Sequence, residues 1–180
     1  MPQWLLTMVE NLLSVTRIQD ERGVATVIKT EESLEEVISS AVGRFRKRFP
    51  EVQVQVCIPE SFIMVPMDAT LIEQVINNLL ENAYFHSGSH GPIDLQASVD
   101  GPYVSIAIRD QGNGIRPELL GTLFDGGGVS DNQTGDSHKG MGIGLTLCKT
   151  IINAHGGHIE ASNYDKGALF TFTLPDWREY

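Results

Sequence analysis

A chain of 180 residues is sized for one domain, and 13 Lys and Arg against 23 Asp and Glu leave it with a net charge of −10. That balance excludes a general nucleic-acid or anionic-membrane surface, since both require a basic footprint. Hydrophobic residues make up 41% of the chain, which excludes disorder. The basic residues are unevenly placed. Seven precede residue 49, none lies between Phe49 and Ile108, and the rest are Arg109, Arg116, Lys139, Lys149, Lys166 and Arg178. An anion site in the second half must use those few, backbone N–H groups or a metal ion. Cys57 and Cys148 show no C-x-x-C spacing and are expected to be small buried apolar residues in a reducing compartment. No signal-peptide pattern is present, and the apolar runs fall far short of the ~18 residues of a membrane span. This piece is therefore expected to make no direct membrane contact.

The first 20 residues read as a helix. Leu5, Met8, Leu12 and Val15 form a short heptad seam, and Gly23 stops it. Val24–Lys29 has a β pattern. Ser33-Leu34-Glu35-Glu36 is a capping box that opens a helix to about Arg48. Val52, Val54 and Val56 alternate with polar residues in a half-buried strand, and Ile63–Val65 is a further strand candidate. Asp68 is the N-cap of a long helix over Ala69–Phe85. Ile93–Val99 and Tyr103–Asp110 form a hairpin at Asp100-Gly101. A glycine turn, Asp110–Ile115, precedes a short helix, Pro117–Phe124. Asp125–Lys139 has no apolar period and four glycines, the signature of a functional loop. Gly142–Ala154 is helical, Gly156-Gly157 ends it, and His158–Ser162 with Ala168–Leu174 makes a last hairpin. Helices and hairpins are segregated, so the fold class is α+β: a two-layer sandwich of one mixed, mostly antiparallel sheet with helices on one face.

Three segments have chemical potential, each ambiguous alone. On the Ala69–Phe85 helix, Asn82 lies on the edge of the apolar stripe with Asn78 one turn before it. A semi-buried Asn there is either a structural amide or an oxygen ligand for a hard cation such as Mg²⁺. Asp110-Gln111-Gly112-Asn113-Gly114 ends a strand, and simple turn chemistry would explain it equally well. Gly140-Met141-Gly142-Ile143-Gly144-Leu145 opens a helix, where unpaired N–H groups and the dipole attract anions. A P-loop is excluded because Met141-Gly142 stands where Lys-Ser/Thr is needed. The dinucleotide G-x-G-x-x-G is excluded because Pro117 and Leu145 replace the third glycine.

In combination, Asn78–Ala83, Asp110–Gly114 and Gly140–Leu145 resemble the N, G1 and G2 boxes of sensor histidine kinase ATP-binding domains, relatives of the gyrase and Hsp90 ATPases with the Bergerat fold. His155-Gly156-Gly157 before a strand is also similar to the family, and the resemblance covers Ala25–Leu174. Val9–Ile18 resembles the second helix of the kinase dimerisation domain. The wording there and in the N box is similar to the potassium-sensing kinases of the KdpD type. The resemblance implies two parts. Residues 1–22 would be the remnant of a dimerisation and phosphoacceptor domain, and residues 24–180 the ATP-binding catalytic domain.

The resemblance also implies roles. Asp110 would accept from the adenine amino group, Gly112, Gly114 and Ile115 would shape the base site, and Asn82, with Asn78 nearby, would hold Mg²⁺. Gly140, Gly142, Ile143, Gly144 and Leu145 would bring N–H groups to the phosphates, and Asp125–Lys139 would form the ATP lid. The departures are specific. Phe85 stands where relatives carry Lys, His86 stands at their Tyr position, and Gly126–Gly128 replace the second Phe of the lid's anchor. Lys139 and His138 are the candidate compensating groups, and His86 is a further candidate for nucleotide binding. Asn78 also stands where related ATPases place the Glu that activates water, so hydrolysis is expected to be slow.

The histidines His86, His90, His138, His155 and His158 lack the context of a phosphoacceptor, so the acceptor is expected outside this chain. The implied partners are the chain's own phosphoacceptor domain, a response regulator and a second subunit in the full-length protein, with no nucleic acid. The implied setting is cytoplasmic, in a parent anchored in the inner membrane. An anti-sigma-factor-type serine kinase shares these boxes and stays open. So does a nucleotide-binding or docking module whose catalysis has decayed.

Overall fold

The computed structural model describes Leu6, Val9 and residues 27–86, 91–125 and 141–176, without the side chains of His86 and of residues 141–143. The N-terminal helix is therefore represented by Leu6 and Val9 alone, both helical. Gly23, residues 126–139 of the expected lid, Gly140 and Arg178 lie outside the described residues.

The first element is a strand, β1 (Thr30–Ser33), followed directly by helix α1 (Leu34–Arg48). This corrects the Val24–Lys29 strand: Val27–Lys29 are not in a strand, and the strand starts at Thr30. The reason lies in pairing. The polar run Thr-Glu-Glu-Ser has no β pattern of its own, but it pairs antiparallel with β3 (Met64–Met67), with Thr30 opposite Met67 and Ser33 opposite Met64. Ser33 then caps α1, accepting from Glu36 N–H at 3.4 Å.

Strand β2 (Val54–Cys57) leads through β3 into the long helix α2 (Ala69–His86), capped by Asp68 Oδ1, which accepts from Leu71 N–H at 3.1 Å. Strands β4 (Ile93–Asp100) and β5 (Tyr103–Arg109) turn through Gly101-Pro102, where Gly101 has φ +59°. Helix α3 covers only Pro117–Leu120; beyond it, turns replace the helix expected as far as Phe124. Gly121 follows its last residue, and glycine is a weak helix former. Helix α4 (Met141–Ala154) ends as expected at the glycine pair, with Gly157 N–H reaching back to Ile152 O at 3.0 Å. Strands β6 (His158–Tyr164) and β7 (Gly167–Pro175) close the chain.

The main sheet has the order β2-β4-β5-β7-β6, with β2 parallel to β4 and the other pairings antiparallel. The expected mixed, mostly antiparallel sheet is what forms. Alternation puts Leu95, Ala97, Ile106, Ile108, Phe170 and Phe172 on one buried face. Against it lie the apolar stripes of α1, α2 and α4, with α2 in the middle through Leu71, Ile72, Val75, Ile76, Leu79 and Leu80. The opposite face is polar. There Arg109 pairs with Asp94 at 2.9 Å across the strands. Two consequences matter for function: the central strand β5 delivers Asp110 at its end, and α2 is clamped between two helices.

Candidate functional site

The predicted site residues fall into two groups. The first is the turn after β5. Asp110 is buried, and its Oδ1 accepts from Gly112 N–H at 2.9 Å and from Ala168 N–H at 3.2 Å. Neither bond uses Oδ2. The Asp110 N–H donates to Ala168 O at 3.1 Å, so the ladder to β7 continues one residue past the strand. Gly167 makes this approach possible: a Cβ there would lie 2.0 Å from the Asp110 carbonyl oxygen. Gly114 has φ +76°, and a Cβ on it would meet Asn163 Oδ1 at 2.7 Å. Ile115 is half-buried against the core, and its backbone is engaged on both sides. Its N–H donates to Asn163 Oδ1 at 2.7 Å, and its carbonyl accepts from Asn163 Nδ2 at 2.8 Å.

The second group lies between α2 and α4. Asn78 is buried, its side chain 3.8 Å from where a Gly144 Cβ would stand, and it hydrogen-bonds Cys148. Burial pushes the Cys148 thiol up to about 12, so it stays protonated, with Val75 O 3.9 Å away as acceptor. Asn78 thus joins the two helices. Asn82 sits one turn further on, half-buried, and its Oδ1 is buried without a hydrogen-bond partner among the described residues. Asn77 Oδ1 is also buried and unpartnered, but the Asn77 amide bonds back to Glu73 O on its own helix. A buried amide oxygen with nothing to accept is costly unless a ligand completes it, and a hard cation suits an amide oxygen. Glu81, beside Asn82, is turned towards α1 and pairs with Arg48 at 2.6 Å. Gly142, Ile143 and Gly144 occupy the first turn of α4, where N–H groups have no intrahelical acceptor. Leu145 is a core residue. His86 ends α2, and Lys139 and Gly140 lie outside the described residues.

The expected shortage of positive charge is deeper than the sequence suggested. Among the described residues, Arg109 is beside Asp94, Arg116 is 3.9 Å from Glu118 and Lys149 is 3.2 Å from Asp125. Phe85, at the position of the missing Lys, has a packing role instead. Its ring makes edge contacts with Phe49 at 5.6 Å and Tyr84 at 4.9 Å. Phe124, in the lid's anchor region, stands edge-on to Phe170 at 6.3 Å.

Sequence reasoning missed Asn163, Gly167 and Ala168, which lie 48 or more residues from the turn they hold. A strand ending in Asp-Lys-Gly signals a hairpin turn, not which loop that turn will touch. His155 and His158, three residues apart, have different surroundings. His155 is fully buried, with Nδ1 2.8 Å from Ile151 O and Nε2 accepting from Asp68 N–H at 3.0 Å, whereas His158 is exposed. Burial lowers the His155 pKa below its ordinary value of 6.5 and favours the neutral ring, and the Ile151 carbonyl with the Asp68 N–H puts its donor on Nδ1.

A helical layer on a mixed sheet, with a D-x-G-x-G turn at the end of a central strand and an asparagine helix beside a glycine-led one, defines an ATPase-type α/β sandwich. Residues 67–178 match the family described as "Histidine kinase-, DNA gyrase B-, and HSP90-like ATPase", and the chain belongs to that family. Family membership implies ATP binding. Sensor protein KdpD of Clostridium acetobutylicum is 41% identical over 96% of this chain, and that of Escherichia coli 34% over 93%. The chain spans only 19% and 18% of those relatives. Among solved structures, the catalytic domain of histidine kinase ThkA superposes with a TM-score of 0.71 at 28% identity, covering 83% of this chain and 97% of that one. ThkA in complex with the response regulator protein TrrA gives 0.71 at 25% identity, over 96% of this chain and 48% of that one.

Proposed function

We propose that this chain is the ATP-binding catalytic domain of a two-component sensor histidine kinase, and that it transfers the γ-phosphoryl group of ATP to a histidine on a dimerisation domain outside this sequence. The observation that carries the reading is Asp110, a buried carboxylate at the end of the central strand with Oδ1 committed to its own loop. Oδ2 is the acceptor offered to an adenine amino group, and the ionised acceptor makes that bond strong. Gly112 and Gly114 keep the wall of the base site backbone-thin.

Asn82 Oδ1 would hold Mg²⁺, together with phosphate oxygens and water. When bound, that ion supplies charge neutralisation on the phosphates. The first-turn N–H groups of α4 would receive the phosphate oxygens, with Lys139 and His138 adding charge from the lid, and His86 from the end of α2. Asn78 acts through Cys148 and α4, keeping the two phosphate-side helices in register.

In the transfer, the acceptor nitrogen forms a bond to the γ-phosphorus, the bond to the β-bridging oxygen breaks and ADP leaves. Glu81 is held by Arg48, and Asn78 supplies no base for water, so hydrolysis is slow. Residues 1–22 fit the second helix of the dimerisation domain. A second subunit and, as in the ThkA complex, a response regulator are the partners. The domain works on the cytoplasmic side, without touching nucleic acid or membrane.

Titration with Mg²⁺ and a non-hydrolysable ATP analogue, followed by supply of the parent's acceptor domain with ATP, tests this. The reading requires binding that Asp110→Ala abolishes, phosphotransfer to the supplied histidine and slow hydrolysis alone. Binding unaffected by Asp110→Ala rejects the site. Binding without transfer favours a decayed docking module, the alternative that the packing role of Phe85 supports.

A further inference from the structure

The β6–β7 hairpin touches the Asp110–Ile115 turn at three successive points. At the start, the Arg109 guanidinium lies over the Tyr164 ring, 4.8 Å from its centroid. In the middle, Ala168 N–H donates to Asp110 Oδ1, and Gly167 admits the Asp110 carbonyl. At the end, the Asn163 amide faces the Ile115 peptide with donor to acceptor and acceptor to donor, at 2.8 and 2.7 Å. Gly114, whose backbone leaves the allowed region for most side chains, lies directly against that amide.

A six-residue turn with two glycines has many conformations of similar energy. Asp110 fixes one end of it through its own carboxylate. At the other end, Asn163 bonds both backbone polar groups of Ile115. An aspartate in that place would keep the acceptor and lose the donor. A serine would reach only one of the two groups.

We infer that Asn163 is a positioning residue for nucleotide recognition, holding the far end of the D-x-G-x-G turn so that Asp110 meets the base in a fixed geometry. The inference rests on the assignment of this turn to the adenine base. It goes further in giving discrimination between bases to a residue on a different hairpin. Adenine offers an amino group where guanine offers a carbonyl oxygen, so a fixed carboxylate attracts one and repels the other. A slack turn lets the carboxylate move away from the guanine oxygen and erodes that difference.

The test measures affinities of the whole chain for non-hydrolysable ATP and GTP analogues, with Mg²⁺, for wild type, Asn163→Ala, Asn163→Asp and Asp110→Ala. Apo melting temperatures are measured alongside. Asn163→Ala is expected to weaken the ATP analogue on the order of 10-fold and to lower the ATP-to-GTP preference, with a smaller effect in Asn163→Asp. General destabilisation would weaken both nucleotides by the same factor. If Asn163→Ala does not fold, Asn163→Asp carries the comparison, because it keeps the bond to the Ile115 N–H.

An unchanged preference in the folded Asn163 variants, with Asp110→Ala unable to bind, overturns the inference and leaves the site reading intact. Binding unchanged in Asp110→Ala overturns the site reading and the inference with it.

Discussion

The proposed base end and the proposed phosphate end of this site are built in opposite ways. At the base end, the Asp110 turn is closed by the protein itself. Its carboxylate oxygen, its last peptide and Gly114 all meet the β6–β7 hairpin. At the phosphate end, Asn82 Oδ1 is buried with no partner among the described residues, the nearby Glu81 is committed to Arg48, and Phe85 has joined an aromatic cluster. The difference teaches how a chain of charge −10 can take a polyanion. On the proposed reading, recognition is preformed where the ligand is uncharged, and charge compensation would fall to backbone N–H groups, to a cation brought with the nucleotide and to a small number of lysines.

The largest effect expected is at the base end. Asp110→Ala removes a charged acceptor and strands the Gly112 and Ala168 N–H groups, so calorimetry should show affinity for the ATP analogue falling about 100-fold or more. Next comes Asn82→Ala. With Mg²⁺ present it should weaken the analogue on the order of 10-fold, while the apo melting temperature stays level or rises, because an unsatisfied buried oxygen has been removed. An equal loss without Mg²⁺ would move Asn82 from cation ligand to structural amide.

The framework behind both ends has its own prediction. His155 Nε2 accepts the Asp68 N–H and so ties the end of α4 to the start of α2. Its pKa is lowered in the fold, chiefly by burial, so on acidification the unfolded chain takes up the proton first. Its contribution is complete above the ordinary value of about 6.5 and is lost as pH falls below it. Melting scans from pH 8 to 5 should show this decline. It should shrink in His155→Ala, which costs about 2 kcal/mol at pH 8 by emptying a buried ring site and leaving the part-buried Asp68 N–H unmet.

The smallest effect sharpens the comparison at the phosphate end. Phe85→Lys restores a positive charge at the price of two edge-on ring contacts. It should raise nucleotide affinity about threefold at low salt, the worth of one exposed charge, and lower stability by about 1 kcal/mol.

The comparison also marks what was legible in the sequence. The box residues announced themselves because each is a local pattern: an amide on an apolar stripe, an acid with two glycines after a strand, glycines opening a helix. The Ser33 and Asp68 caps and the Gly156-Gly157 stop were legible for the same reason. The β1 strand was displaced because Thr30–Ser33 is strand only by virtue of its pairing with Met64–Met67. Asn163, Gly167 and the His155–Asp68 bond were hidden because they act across the fold on residues far away in sequence. The pairing of Arg109, Arg116 and Lys149 with carboxylates was equally invisible, since charge counts carry no distances.

The central claim is that the protein completes the base end and a cation completes the phosphate end through Asn82. The most direct measurement is the affinity of a non-hydrolysable ATP analogue with and without Mg²⁺, in wild type and in Asn82→Ala. The account predicts that Mg²⁺ strengthens binding in wild type and has little effect in Asn82→Ala. Equal strengthening by Mg²⁺ in both proteins would contradict it.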